Sequence, residues 1–526
     1  MLAGVDPYPG GLGLTGGSPL TVQYSYWYPP IMDLSGISLD RNSGTSLHAQ
    51  LVLALRAAMA EGGLRAGSRL PASRNLARSL GVNRGTVQKA YSALVAAGEA
   101  RAAVGQGTFV AGTDGSAAGI LPPPQTAEDP DWERLARWSA RPGVISLAGG
   151  MPDARLFPVA PFRESLNAVL AKEGSGLLQY GPSRGHGRFL EVLAARLKER
   201  GLDRQAEELL VVSGSQQGLD LVARVFISPG DAVVVEDPTY SGALALFRMM
   251  GARLLPVPVD DHGMVVERLE SILTRERPRL VYTIPNFHNP TGVTMSPSRR
   301  RRLLEICAAN GVPVVEDDSD GELAFDDVPP PPLAAGAGNG GVIYLGTSSK
   351  LLFPGLRLGW VAADSQVIRA LEAVKRVADL HTPPLLQAAM AHFMMTKACR
   401  DLVTTVRASY ASRRDALLQS LEKEMPAGVT WSEPRGGLSL MVDLPAQIST
   451  ADLLARAVEE GVVFAPGNLF AVRHSADHRL RLTYGGIREE EIREGMVRLG
   501  RAVRAELSGA DQRRMTDKAI SPPPLV

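Results

Sequence analysis

The hydrophobic positions of this chain follow two different rhythms. Near the N-terminus, Leu47, Leu51, Leu55 and Met59 recur every four residues, which predicts the apolar face of an amphipathic helix. From residue 144 onward, short β-branched runs alternate with helical segments, as expected for strands buried on both faces of a parallel sheet. The clearest of these runs are LLVVSGS, AVVVEDP, LVYTIPN, VPVVEDD and VIYLGTSS. The pattern predicts a small, mainly helical unit followed by a large α/β domain.

Composition predicts where these parts begin and end. The N-terminal stretch is rich in Gly, Pro, Ser and Tyr without periodicity, and the stretch between the two units has the composition of a linker. Trp132 and Trp138 indicate that the last part of this linker helps to begin the large domain. The predicted segments are a flexible arm (1–42), the small unit (43–112), a linker (113–143), the large domain (144–508) and a disordered tail (509–526).

Charge separates the two units further. The chain has 526 residues, 45% of them hydrophobic and 21% charged, which is ordinary for a globular protein and too long for one core. The net charge is only +1, but residues 45–110 carry eight Arg and Lys against two Glu, a local charge of +6. A basic module on a nearly neutral body suggests an anionic partner for that module alone.

Cysteine content and hydropathy bear on the compartment. Cys307 and Cys399 are isolated, and two such thiols form neither a disulfide framework nor a zinc site, so a reducing cytoplasm is the simple interpretation. No apolar run approaches the about 18–20 residues that a membrane span needs. The N-terminus lacks a basic region followed by an apolar stretch, so no signal peptide is expected. We therefore expect a cytoplasmic protein without a membrane partner.

The small unit carries the signals of two short helices joined by a turn. Ser73 is placed as an N-cap before RNLARSL, Gly81 makes a tight turn, and Asn83 caps a second helix that ends at Gly98. Two short helices around a glycine turn form a helix-turn-helix. The same spacing assigns the core of this unit to Val82, Val87, Tyr91 and Leu94.

The second helix presents polar residues where DNA would lie. Arg84, Thr86, Gln88 and Lys89 occupy its first turns, from which side chains reach base edges in the major groove. The following ARAAVGQGTFVAG predicts two short strands around Gly105-Gln106-Gly107, a wing beside the minor groove or the phosphates. The alternative is an arginine-rich helical bundle that docks on another protein.

In the large domain, several residues match the needs of pyridoxal phosphate. This cofactor requires a lysine amine, a carboxylate at the pyridine nitrogen, donors for the phosphate and a donor at the phenolic oxygen. Open α/β sheets bind ligands at the carboxyl ends of their strands, and each candidate follows a predicted strand. Taken singly, each has a structural alternative as a helix cap, turn residue, surface lysine or ion-pair partner. The candidates are Ser215, Gln216, Asn289, Asp317, Thr347, Lys350 and Arg357.

Both units resemble known families. GLRAGSRLPASRNLARSLGVNRGTVQKAYSALVAAGEARAAVGQGTFV closely resembles the winged helix-turn-helix of GntR-type bacterial regulators. That resemblance implies DNA contacts by Arg74, Arg84, Thr86 and Gly107. Residues from about 146 to 486 resemble the fold-type I aminotransferases, close to the aminoadipate and kynurenine branch, and imply a small C-terminal α+β subdomain. The matching pieces are SLAGGMPD, LQYGPSRG, VSGSQQGLDL, EDPTYSG, NPTG, EDD, SSKLLFPGLRLGW and RLRLTYGG.

The aminotransferase resemblance also implies a role for each site residue. Lys350 would form the covalent bond to the cofactor, Asp317 would meet the pyridine nitrogen, and Asn289 the phenolic oxygen. Tyr240 would lie against the ring, and Tyr180 would come from the neighbouring subunit. The phosphate would be held by Ser215, Gln216, Thr347 and Arg357.

Arg481 of RLTY would hold a substrate or effector carboxylate as a bidentate fork. Arg479, expected on the opposite face of the strand, is the alternative cation. The sequence departs from the resemblance at one position. The regulator branch of this fold usually carries EDDY, whereas this chain has EDDSD, with Ser319 in place of the tyrosine. Asp318 and Asp320 are interpreted as solvent or helix-start residues rather than catalytic ones.

A GntR-type winged helix-turn-helix joined to an aminotransferase-like domain resembles the MocR-type regulators. The resemblance implies a transcriptional regulator that binds double-stranded promoter DNA and carries pyridoxal 5′-phosphate. An amine or amino-acid effector, or the cofactor itself, would change the shape of the large domain, and the chain would form a head-to-tail homodimer. The alternative is an active aminotransferase of the aminoadipate or kynurenine type with a secondary DNA-binding module.

Overall fold

Two separate units, each with its own hydrophobic core, organise the chain. In the computed structural model the division falls between Gln125 and Thr126. Most of the predicted arm, much of the predicted linker and the last six residues lie outside the described residues. The structure describes residues 39–41, 43–60, 64, 68–103, 107–111, 130–325, 328–338, 340–473 and 476–520.

The N-terminal unit packs three helices and a β-hairpin around one apolar core. Leu51 and Leu55 on the predicted apolar face are fully buried, as are Val87 and Leu94. The predicted mainly helical unit is therefore confirmed. Its elements are α1 (Leu47–Ala60), α2 (Ser73–Ser79), α3 (Arg84–Ala96), β1 (Ala100–Ala103) and β2 (Gly107–Val110).

The turn between α2 and α3 has the predicted chemistry with one difference. Gly81 has φ +63°, and the Asn83 side chain accepts a hydrogen bond from the Gly85 amide at 2.9 Å, so it caps α3. The predicted cap at Ser73 is wrong, because Ala72 holds the cap position and Ser73 is already helical. The carbonyl of Ala72 accepts the first helical hydrogen bonds, so α2 begins without a side-chain cap.

The predicted wing is an antiparallel hairpin of β1 and β2, paired from Ala100↔Val110 to Ala103↔Gly107. Gly105 and Gln106 lie outside the described residues. Gly107 has φ +117°, and a Cβ there would lie 2.9 Å from Nε of Arg69. Glycine is therefore required both by the backbone conformation and by the close approach of this guanidinium.

The large unit begins earlier than the sequence predicted. A helix, α4 (Pro130–Ser139), and a short strand, β3 (Ile145–Ser146), precede its main sheet. Leu135 is buried in the same core as the C-terminal elements, and the rings of Trp132 and Phe470 lie 6.1 Å apart. The last part of the predicted linker thus belongs to the large unit, in agreement with the tryptophan signal.

An eight-stranded sheet forms the centre of this unit, in the order β4-β11-β10-β9-β8-β5-β6-β7. The five predicted runs became β4, β5, β8, β9 and β10, which all point the same way, while β11 lies antiparallel between β4 and β10. The strands are β4 (Leu209–Val212), β5 (Ala232–Asp237), β6 (Arg253–Asp260), β7 (Gly263–Met264), β8 (Leu280–Thr283), β9 (Val314–Asp317), β10 (Val342–Thr347) and β11 (Gly359–Ala362).

Helices cover both faces of this sheet. In β5, Val233 and Val235 pack into one hydrophobic cluster and Val234 into the other, as alternating side chains require. This double burial explains why the strand sequences are continuously apolar. The helices are α5 (Val159–Glu173), α6 (Gly187–Glu199), α7 (Ser215–Phe226), α8 (Ser241–Met249), α9 (Leu269–Glu276), α10 (Pro297–Asn310), α11 (Ser365–Ala378), α12 (Pro384–Met394) and α13 (Lys397–Glu424).

A smaller α+β subdomain follows, as the resemblance implied. Its four-stranded sheet has the order β12-β13-β16-β15, and β14 pairs with β3. The elements are β12 (Thr430–Trp431), β13 (Ser439–Asp443), α14 (Thr450–Glu459), β14 (Val462–Val463), β15 (Ala465–Pro466), β16 (Arg479–Thr483) and α15 (Glu489–Ile520).

The C-terminal helix differs from the sequence prediction. A disordered tail was expected from residue 509, whereas α15 continues to Ile520. The predicted stop rested on polar composition, and polar composition is also compatible with a helix. None of the helices in the described part of the chain is long and apolar enough to cross a bilayer.

Candidate functional site

One cavity lies at the carboxyl ends of the parallel strands β4, β5, β8, β9 and β10. It is lined by eight of the nine residues predicted to hold the cofactor. The loops after parallel strands meet at one edge of a sheet, so residues distant in sequence converge there. The eight are Ser215, Gln216, Tyr240, Asn289, Asp317, Thr347, Lys350 and Arg357; Ile284, Phe287, Ser319, Asp320 and Ser349 complete the lining.

Lys350 follows β10 and is one of the residues that line this cavity. Its Nζ donates a hydrogen bond to the carbonyl oxygen of Gly150 at 2.7 Å. Burial lowers the pKa of Lys350, and the nearby carboxylates Asp320 and Asp317 only partly oppose this effect. A lower pKa increases the share of neutral amine, which is the nucleophilic form of a lysine.

Asp317 ends β9 and is buried, with both carboxylate oxygens engaged. Tyr282 donates its hydroxyl hydrogen to one oxygen at 2.9 Å, and Ser319 donates to the other. Burial raises the pKa of Asp317, and these two hydrogen bonds oppose the shift. The Ser319 hydroxyl thus supports Asp317.

A second part of the cavity is built from backbone and guanidinium donors. Gly214, with φ +91°, precedes α7, whose first N–H groups have no acceptor within the helix. Arg357 donates from Nη2 to the Ser213 carbonyl at 3.2 Å. A Cβ at Gly214 would lie only 2.5 Å from that Nη2. The helix terminus and the guanidinium therefore form a compact anion-binding cradle that tolerates no side chain at this position.

The remaining residues of the cradle are held by local contacts. Thr347 donates to the Ser349 hydroxyl at 2.9 Å, and Gln216 donates to the Gly242 carbonyl at 3.3 Å. Oε1 of Gln216 is buried without a hydrogen-bond partner among the described residues. Gly242 also leaves room for Tyr240, because a Cβ there would lie 2.5 Å from its ring.

Arg481 lies on β16 of the smaller subdomain and borders the same site. Its Nη1 donates to Oδ1 of Asn289 at 3.1 Å and its Nη2 donates to the Ala148 carbonyl. The guanidinium carbon stands 4.6 Å from the ring centroid of Phe470 and 5.6 Å from that of Trp132. Burial lowers the pKa of Arg481 to about 10.

The expectation about Arg479 is wrong in one respect. In the β13–β16 pairing, Arg479 lies opposite Asp443 and Arg481 opposite Met441, so the two arginines share a face of the strand. What distinguishes them is their surroundings. Arg479 is partly exposed and forms an ion pair with Asp443, whereas Arg481 is buried beside Asn289.

The interpretation of Asp318 and Asp320 is also wrong, because both side chains are buried. Asp318 accepts hydrogen bonds from Arg200 at 2.6 Å and from the Tyr344 hydroxyl at 2.9 Å. It therefore links the residues after β9 to the end of α6 and to β10. Asp320 lines the cavity itself. Sequence alone treated them as polar residues after a strand, since their partners come from distant elements.

Other contributors were missed for similar reasons. Phe287 lines the cavity with φ +48°, an uncommon conformation for a residue with a side chain. A Cβ at Gly436 would lie 2.5 Å from the ring of Phe287, and a Cβ at Gly437 would lie 2.8 Å from the Cβ of Phe287. In the sequence, only the Gly436-Gly437 pair indicated that another residue packs closely against the backbone there. Tyr282 gave no signal, because a tyrosine in a buried strand is ordinary.

Tyr180 is the predicted cofactor residue that the structure does not bring into the cavity of its own chain. Its side chain is 78% exposed, and its ring lies 5.7 Å from that of His381.

The N-terminal unit presents the predicted DNA-contacting residues on its surface. Arg84, Gln88 and Lys89 of α3 are exposed, and Thr86 is half-buried, while Val87 and Leu94 face inward. The separation of these two sets on one helix leaves a polar, cationic face available to an anionic partner. Arg74 at the start of α2 and Gly107 in the wing are also exposed.

Comparison with known proteins agrees with both units. Residues 143–499 match the family of class I and II aminotransferases, and residues 47–110 match the gntR family of bacterial regulatory proteins. The chain is 32% identical to the probable rhizopine catabolism regulatory protein MocR of Rhizobium meliloti, covering 90% of this chain and 97% of that protein. The chain belongs to the MocR-type regulators of the GntR family.

Enzymes resemble the large unit of this MocR-type chain. The 2-aminoadipate transaminase of Thermus thermophilus is 39% identical, over 71% of this chain and 94% of that protein. The alpha-aminoadipate aminotransferase of the same species, solved with N-(5′-phosphopyridoxyl)-L-leucine, superposes with a TM-score of 0.66 at 37% identity. That match covers 71% of this chain and 97% of the other. The shared fold is that of pyridoxal-phosphate-dependent proteins.

The residues of the MocR-type chain fit this cofactor. Lys350 can supply the amine, Asp317 a buried carboxylate for the ring nitrogen, Asn289 a group near the phenolic oxygen, and the cradle at Gly214 donors for the phosphate. A cationic ring nitrogen beside Asp317 would offset the unfavourable burial of its charge. When bound, pyridoxal phosphate supplies an aldehyde that condenses with amines and a protonated ring that withdraws electrons.

We expect Gly214→Ala to weaken binding of pyridoxal phosphate by about tenfold or more, because the new methyl group would displace a charged hydrogen-bond donor from the cradle. The dissociation constant can be measured from the change in visible absorption as the cofactor is added to the cofactor-free chain.

Gly230→Ala is the matched control, since Gly230 has a similar φ of +90° but nothing within 4 Å of its added Cβ. Both glycines have positive φ, so an alanine is unfavourable at either position, and only Gly214 also has Arg357 within contact distance. Equal affinities for the two variants would show that Arg357 does not contribute to phosphate binding.

Proposed function

We propose that this MocR-type chain is a DNA-binding transcriptional regulator whose large unit carries pyridoxal phosphate and senses an amine or amino acid. One observation carries the proposal. A cavity that gathers Lys350, Asp317, Asn289 and Arg357 occurs in the same chain as a basic helix-turn-helix with an exposed recognition face.

The chemistry of the cavity favours an effector with a primary amine. An amine can exchange with Lys350 at the cofactor, which alcohols and carboxylic acids cannot do. Arg481 would add recognition of a carboxylate, because its guanidinium is buried beside the cavity and Nε has no hydrogen-bond partner among the described residues. An amino acid satisfies both requirements.

Regulation requires that the effector bind two shapes of the large unit with different free energies. Loss of the covalent bond at Lys350 provides such a difference, because it releases a buried amine that must find new partners. In a head-to-tail homodimer this change would alter how the two helix-turn-helix units bind the two half-sites of the operator. The exposed Tyr180 supports an association of this kind, since its side chain is available to a neighbouring subunit.

The second candidate is an active aminotransferase. It is favoured by the 39% identity to a 2-aminoadipate transaminase and by the retention of Asn289, Asp317, Lys350 and Arg357. Multiple turnovers with an amino-acid and keto-acid pair would support it. A regulator needs no more than binding or a single exchange.

Lys350→Ala should abolish the visible absorption of the lysine-bound cofactor, because Lys350 is the only lysine among the described residues that line the cavity. The spectrum should be recorded after exhaustive dialysis of the loaded full-length chain. Lys375→Ala is the control, since Lys375 is also buried but pairs with Asp379 outside the cavity. An unchanged spectrum for Lys350→Ala would refute the covalent assignment.

Arg84→Ala should reduce the affinity for a specific duplex by about 1–3 kcal/mol if its guanidinium contacts a base edge. The duplex can be recovered with the protein itself from random sequences, and the affinities for that duplex and a scrambled one compared. The loss should be confined to the specific duplex.

Arg56→Ala is the matched control, because it removes the same charge from the same unit while Arg56 is engaged with Glu99 at 2.8 Å. It should lower the affinities for both duplexes similarly and by less. If Arg84→Ala leaves the discrimination between the duplexes intact, Arg84 does not read bases.

A further inference from the structure

The third aspartate of the EDDSD run, Asp320, lines the cavity without an assigned role. Its residue is only 7% exposed, and it lines the cavity together with Lys350 and Asp317. Its Oδ1 is buried and has no hydrogen-bond partner among the described residues. A buried carboxylate oxygen without a donor is costly, so its retention calls for a ligand-binding explanation.

The neighbouring carboxylates are satisfied by the protein. Asp317 accepts hydrogen bonds from Tyr282 and Ser319, and Asp318 accepts from Arg200, Tyr344 and Asn286. Asp320 differs from both, because it lines the cavity and its Oδ1 has no hydrogen-bond partner among the described residues. It is therefore a carboxylate that the fold presents to a small molecule.

Charges around Asp320 come from several elements. The favourable interaction with the largest effect on its pKa is with the Lys350 amine after β10, and Arg481 on β16 adds a second positive charge. Burial raises the pKa of Asp320 to about 6, so the carboxylate is charged at neutral pH. The other titratable groups that interact with it are Asp317 and Asp318 from the end of β9, Tyr410 from α13 and Tyr484 after β16.

We propose that Asp320 holds the ammonium group of a primary amine in the cavity: that of an incoming effector before exchange, and that of Lys350 afterwards. The inference rests on the proposed function, because it concerns the exchange that would operate the sensor. It assigns the effector's reacting nitrogen to Asp320 and leaves its carboxylate to Arg481.

The exchange balances without an external reagent. The incoming nitrogen forms a bond to the cofactor's aldehyde carbon, and the bond from that carbon to Nζ of Lys350 breaks. Protons that leave the incoming nitrogen are taken up by Nζ, so the total charge is unchanged and no electrons are gained or lost. Asp320 accepts a proton from the incoming ammonium, which makes that nitrogen nucleophilic, and returns it to Lys350.

Methylamine is a suitable probe, because it has no carboxylate and its response does not depend on Arg481. It also remains protonated between pH 5 and 8. The full-length chain is loaded with pyridoxal phosphate, and the methylamine concentration that gives half of the change in visible absorption is measured.

Asp320→Asn should raise the half-saturating methylamine concentration by about tenfold at pH 8, because a charge-assisted hydrogen bond is lost. Asp320→Ser, which replaces the carboxylate with a hydroxyl, should raise this concentration by a similar factor. Asp320→Glu, which keeps a carboxylate, should give a concentration close to that of the wild type. Asp261→Asn, at an exposed position outside the cavity, should have no effect.

The pH profile separates this role from a structural one. The ratio between variant and wild type should fall towards one as pH falls through about 6, because the wild-type carboxylate then becomes neutral. A purely structural role would leave the ratio constant.

Two failures can be told apart. If the loaded wild type shows the visible band but responds to methylamine like Asp320→Asn and Asp320→Ser from pH 5 to 8, the inference is overturned and the proposed function stands. If the loaded wild type shows no visible band, the covalent site itself is absent, and the proposed function and this inference both fail.

Discussion

The account depends on one constraint: the Lys350 amine is partly buried at a cavity and lies among carboxylates and guanidinium groups. Burial lowers the pKa of Lys350, the carboxylates of Asp317 and Asp320 favour its cation, and Arg357 and Arg481 oppose it. The parallel sheet makes this arrangement possible, because the loops after its strands converge at one edge. Without this convergence, the same residues would be separate surface groups with ordinary chemistry.

Several residues of the large unit position the side chains of the site. Tyr282 and Ser319 hold Asp317, and the absence of a side chain at Gly214 admits Arg357 to the start of α7. Arg481 comes from the smaller subdomain and donates a hydrogen bond to Asn289, which lines the cavity. The proposed effector, if it engages Lys350 and Arg481 together, would contact both parts of the unit.

Much of this organisation was predictable from the sequence, and the reasons for the exceptions are specific. Continuous apolar runs predicted the five parallel strands because both sheet faces are covered. Motifs at strand ends predicted seven cavity residues, and the aminotransferase resemblance implied the eighth, Tyr240. Asp320 was misjudged because groups near its carboxylate are distant in sequence: Gly437 lies close to it, and Arg481 of β16 interacts with it electrostatically. Ser73 was misplaced because a backbone carbonyl replaced the expected side-chain cap. The helix beyond residue 509 was missed because polar composition does not distinguish a solvated helix from a disordered segment.

The central claim is that amine exchange at Lys350 changes DNA binding. A panel of primary amines and amino acids should be titrated into loaded full-length protein, with visible absorption and affinity for the selected duplex measured in the same samples. The account predicts that at least one amine changes both signals with coincident midpoints, and that neither signal changes in Lys350→Ala. A visible change that saturates for every reactive amine while DNA affinity stays constant would contradict it.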